Sequence, residues 1–95
     1  MTLGDPVLNY EVARELFNTR IAECSARIGE EQEKPVPDAG LIAAIRQEQL
    51  AIALEQGDLM QAGGATVAAA IRWHRVALAQ QRERYWPARS PAGGC

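Results

Sequence analysis

The sequence predicts an all-α fold: a small antiparallel three-helix bundle, a long helical hairpin plus a third helix, with dimerisation as a possible means of completing its core. Three observations carry this expectation. Apolar residues recur at spacings of three and four along three long segments, the repeat that gathers side chains on one helical face. A proline-rich break and a glycine-rich break separate those segments. Alanine, which loses no side-chain entropy in a helix, is abundant, and no run alternates with the period-two pattern of a strand.

The first helix is expected over about residues 5–33. Asp5 is a favoured N-cap, and Pro6 at the first helical position lacks only an N–H that has no helical partner there. Tyr10, Ala13, Phe17, Ile21, Cys24 and Ile28 form one apolar stripe, which Leu16 widens. Glu23 and Arg27 stand four apart in the order that favours an ion pair. The charged run Glu30 to Lys34 reads as a solvated helix tip, or as a dock for a basic partner, before Pro35 stops the helix.

Pro35 and Pro37 end the first helix, and Asp38 caps the second, expected over about 38–61. Its apolar positions Leu41, Ile42, Ile45, Leu50, Ile52 and Leu54 go most of the way round. A helix of that kind is expected between its two neighbours or at a dimer interface. Gly57-Asp58 could end it, but the adjacent pair Gly63-Gly64 is the stronger break. The third helix is expected over about 65–86, with Val67, Ile71, His74, Leu78 and Tyr85 on its core stripe and Ala70 and Ala77 beside them. Pro87 ends it, and residues 87–95 read as a flexible tail. At 95 residues the whole chain, 1–95, makes a single helical domain with a thin core.

Charge is divided along the chain. Up to Leu59 there are eleven acids and five bases; from Met60 onward there are five arginines and one acid, Glu83. The plain reading is an acidic helix lying beside a basic one; the alternatives are a second copy or an acidic partner. The two cysteines, Cys24 on the core stripe and Cys95 at the end, make no disulfide framework and fit a reducing compartment. With no signal peptide and no apolar run of membrane-spanning length, a cytoplasmic protein without membrane contact is expected. Nine arginines against one lysine, with so much alanine, suit a GC-rich bacterial genome, and a bacterial or mobile-element source is expected.

An enzyme is not expected. There is one histidine, no recognisable nucleophile motif, and too few His and Cys residues for a metal site, so neither a metal nor any other cofactor is expected. His74 reads as a core histidine with one nitrogen hydrogen-bonded; the sharper reading is a ligand-binding or pH-responsive group. The distinctive segment is the last helix and its exit. There Arg72, Trp73, Arg75, Arg82, Arg84, Tyr85 and Trp86 form the candidate partner-binding set. Arg, Trp and Tyr are the residues enriched at interface hot spots. They also suit phosphate contact and base stacking, or simply a solvated face with two tryptophans closing the ends of the core. The expected function is a non-enzymatic protein–protein interaction module: a small accessory, regulatory or inhibitor protein that binds a protein partner and forms a homodimer. Nucleic-acid binding is the alternative, weakened by a net charge of −2 and a spacing unlike helix-turn-helix.

Overall fold

The computed structural model describes residues 6–87, with side chains from Asn9 onward. It is a three-helix bundle: α1 (Pro6–Gln32), α2 (Ala39–Leu59) and α3 (Gly64–Tyr85), with no strand among the described residues. Pro6 opens α1 as expected; its proposed cap Asp5 and the expected tail beyond Pro87 lie outside the described residues. The Asp38 cap forms: Leu41 N–H donates to Asp38 Oδ1 at 3.0 Å and Ile42 N–H to the Asp38 carbonyl at 3.1 Å. The second break falls at the glycine pair, with Gly63 the N-cap of α3, while Gly57 lies inside α2.

The helices run up, down, up. α1 packs along both of the others, whereas α2 and α3 scarcely approach each other. The sequence placed α2 between its neighbours or at a dimer interface; the structure gives the central position to α1. Its stripe explains the difference. Ala13, Phe17, Cys24 and Ile28 are buried, and Val12 and Ile21 pack against the same core from either side. α2 contributes Ile45, Ile52 and Leu59, while Leu50 and Leu54 point to solvent. α3 contributes Val67, Ala70, Ile71, Ala77 and Tyr85, while Leu78, expected on the stripe, is only half-buried and Ala77 beside it takes the inner position. The Cα extents, 48 × 32 × 14 Å, describe a flat molecule whose broad side is open between α2 and α3.

Two charged residues are inside. Arg20 is buried among the three helices. Glu31, placed by the sequence in a solvated tip, is also buried: it meets Lys34 at 2.9 Å and Arg27 at 3.2 Å, and accepts from the Asp38 N–H at 2.9 Å. Glu31 therefore ties the end of α1 to the start of α2. Arg27 is taken by Glu31 rather than by Glu23, which turns to α3 instead.

Candidate interaction site

The middle of the bundle is polar, and this layer fixes where the α3 side chains point. Arg20 supplies three donors from one planar group. Its Nε donates to Gln81 Oε1 at 2.9 Å, Nη1 to His74 Nδ1 at 2.7 Å, and Nη2 to Glu48 Oε2 at 3.1 Å. A guanidinium can only donate, so His74 Nδ1 is the acceptor and the ring proton sits on Nε2. That N–H points at Glu55 Oε2, 2.9 Å away. Both histidine nitrogens are thus used, where the sequence reading gave one. The ring also packs at 4.2 Å, centroid to centroid, against Phe17.

Glutamines complete the layer. Gln81 Nε2 donates to the Arg20 carbonyl at 3.1 Å, and Gln49 Nε2 to the neighbouring Ile21 carbonyl at 3.0 Å. Two consecutive carbonyls of α1 therefore receive an amide from each flanking helix. No buried side-chain nitrogen or oxygen among the described residues lacks a partner. Glu48 and Glu55, one heptad apart on α2, reach across the gap that apolar packing leaves open. Glu48 accepts from Arg20, from Arg84 at 2.8 Å, and from the Tyr85 hydroxyl. Burial, then the Glu48 carboxylate, push the Tyr85 phenol above its ordinary range, so it stays a donor. Burial likewise raises the Cys24 thiol, whose sulfur lies 3.6 Å from the Tyr85 oxygen.

The seven residues singled out on α3 divide into two sets. Arg82, Arg84, Tyr85 and Trp86 bind inward. Arg82 grips both oxygens of Glu23, with the shortest contact at 2.6 Å, and this pairing raises its pKa. Arg84 and Tyr85 share Glu48, and the Trp86 ring N–H bridges the two Glu30 oxygens at 2.7 and 2.9 Å. The basic end of α3 is held by carboxylates of α1 and α2, the internal pairing that the charge division suggested.

Arg72, Trp73 and Arg75 remain outside. Neither arginine has an ion-pair partner among the described residues. Trp73 is 63% exposed and Val76, one turn on, 59%. The Trp73 ring is nonetheless oriented from behind: its edge meets His74 at 4.8 Å between centroids, and the Arg20 guanidinium carbon lies 5.9 Å from its centroid. Beside it, between α2 and α3, runs an open groove of about 500 Å³. Leu59, Ala69, Ala70 and Trp73 form its apolar part, and Glu55 and Asp58 supply its charge. The sequence reading missed Val76 and Asp58 as members of this face. Their signal was available: each falls on the side of its helix opposite to, or flanking, the core stripe.

Compared with protein-family models, with curated proteins and with solved structures, the chain matches none of them. No helix of the described residues is long and apolar enough to cross a membrane.

Proposed function

We propose that this chain is a non-enzymatic helical module that acts by binding protein, through the open α2/α3 face centred on Trp73. The observation that supports this most is the contrast along α3. Arg82, Arg84, Tyr85 and the following Trp86 are bound internally, while Trp73 stands exposed beside an apolar groove, with the unpartnered Arg72 on the adjoining side of the helix. An exposed Trp held rigid from behind loses little entropy on binding, and Trp and Arg dominate hot-spot energetics. A role as a small accessory, regulatory or inhibitory protein of the cytoplasm is consistent with this design.

Nucleic-acid binding draws less support. Its affinity comes mainly from phosphate contacts, and Arg82 and Arg84 already face Glu23 and Glu48. The groove next to Trp73 is acidic as well.

Site-specific photocrosslinking in the producing cell tests the proposal. A crosslinker replacing Trp73 is expected to give discrete protein adducts that weaken when Arg72 and Arg75 become Glu. One replacing Arg46, on the far side of α2, is expected to give none. Equal adducts from both positions, or nucleic-acid adducts alone, would overturn it.

A further inference from the structure

The α2/α3 face is open, with Trp73 exposed along it. The charges on this face are divided in two. Asp58, on α2, has no ion-pair partner among the described residues, and Glu55 beside it meets only the His74 ring. On the other side of the exposed Trp73 and Val76, going round α3 at 3.6 residues per turn, stands the unpartnered Arg72. Acid, apolar centre and base therefore follow one another across the face.

Their heights match. Glu55 and His74 meet across the gap at 2.9 Å and fix the alignment of α2 with α3. Asp58 lies three residues beyond Glu55, about 4.5 Å along the helix, and Arg72 two residues before His74, about 3 Å. Because the two helices are antiparallel, both displacements point the same way, so Asp58 and Arg72 are nearly level on opposite sides of Ala69 and Trp73. A surface with an acid and a base level on either side of an apolar centre is complementary to itself under a two-fold rotation. Such an axis brings Asp58 of each copy to Arg72 of the other, which is the isologous arrangement of most dimers.

We infer that a second copy of this chain docks on the α2/α3 face, two-fold symmetric about the Ala69–Trp73 region, with reciprocal Asp58–Arg72 ion pairs flanking an apolar centre of Ala69, Trp73 and Val76. This rests on the reading of the chain as a protein-binding module and names the partner. It also gives Trp73 and Val76 a cover that the single chain leaves out.

Sedimentation with charge-reversed full-length variants tests it. The wild-type chain is expected to dimerise in a concentration-dependent way. Asp58→Arg puts arginines opposite each other at both pairs, and Arg72→Asp does the same with aspartates. Each variant alone is expected to dimerise about a hundredfold or more weakly, since like charges brought together at an interface are costly. Mixing the two in equal amounts pairs opposite charges again and is expected to restore a heterodimer. Arg46→Asp, on the other side of α2, is expected to dimerise as the wild type does. Circular dichroism establishes that each variant is folded. A wild-type chain that stays monomeric overturns the second copy as occupant, while the Trp73 crosslinking experiment can still succeed with another protein. A wild-type dimer indifferent to both reversals, or variants that the mixture does not rescue, overturns the face.

Discussion

Arg20 carries more of the architecture than any other single side chain. One guanidinium serves Gln81 and His74 on α3 and Glu48 on α2. Those three bonds leave in different directions from a rigid plane, which an ammonium on a flexible stem does not reproduce. Arg20→Ala removes the donor but leaves the Glu48 carboxylate and two buried acceptors behind. It is expected to cost about 3–5 kcal/mol, in the range for breaking a buried charged network, with Arg20→Lys only partly restoring the loss in urea titrations. Glu31 gives the residue scale its pH dependence. Lys34 first, then the Asp38 amide and Arg27, lower its pKa from 4.5 to about 2. A carboxylate with a depressed folded pKa stabilises the fold fully above its ordinary value and loses that contribution as pH falls through the folded value. Between pH 4.5 and about 2 the wild type should therefore lose stability faster than Glu31→Gln. Denaturation at neutral pH should show the variant weaker, and in acid the two should converge. A constant difference across that window would show that Glu31 does not contribute through its charge.

At the scale of elements, each helix differs in how closely its pattern describes its surroundings. Most of the α1 and α3 stripes was legible because large apolar residues three and four apart have few other places to go; Phe17, Cys24, Ile28, Val67, Ile71 and Tyr85 are buried, whereas Tyr10, Ile21 and Leu78 are only half-buried. Arg20 and Gln81 were missed although they occupy the same stripes. Polarity assigns such residues to solvent unless their partners are known, and those partners come from distant segments. The central place given to α2 failed for a related reason. Counting apolar residues round a helix shows how much could be covered, not whether a neighbour is there, and Leu50 and Leu54 remain exposed. Of the candidate site, the sequence singled out the helix but not the division within it. Which arginines are free depends on Glu23 and Glu48, fixed only by the packing of α1 and α2. The ends of α2 suggest an improvement that leaves every contact intact. Gly57 lies within the helix, and a Cβ built there meets nothing within 4 Å. Gly57→Ala should raise stability by about 0.5–1 kcal/mol, the difference in helical preference between the two residues. A thermal melt that shifts downward would mean that the open space at Gly57 serves an interface.

For the molecule as a whole, the consequence of placing α1 in the centre is an unequal distribution of stability. α1 is covered along two sides, whereas α2 and α3 are each covered along one and joined to each other chiefly by the carboxylates Glu48 and Glu55. Local opening follows the helices with fewest buried contacts. Amide hydrogen exchange should therefore be slowest in α1, around Phe17 to Cys24, and fastest in the exposed half of α2, near Leu50 and Leu54. Phe17 is the point at which the whole structure is coupled, being fully buried and in tilted contact with the His74 ring, whose Nε2 leads to Glu55 on α2. Phe17→Ala should cost about 3–5 kcal/mol, a large part of the roughly 5–15 kcal/mol typical of a folded domain. Because the cavity would open where all three helices converge, exchange should accelerate in α1, α2 and α3 together. The denaturant midpoint should fall with little change in slope, as for a loss of stability without a change in the surface exposed. If only α3 lost protection while α1 and α2 kept theirs, the central helix and its two flanks would be separate cooperative units, and the polar layer through Arg20 and His74 would not couple them.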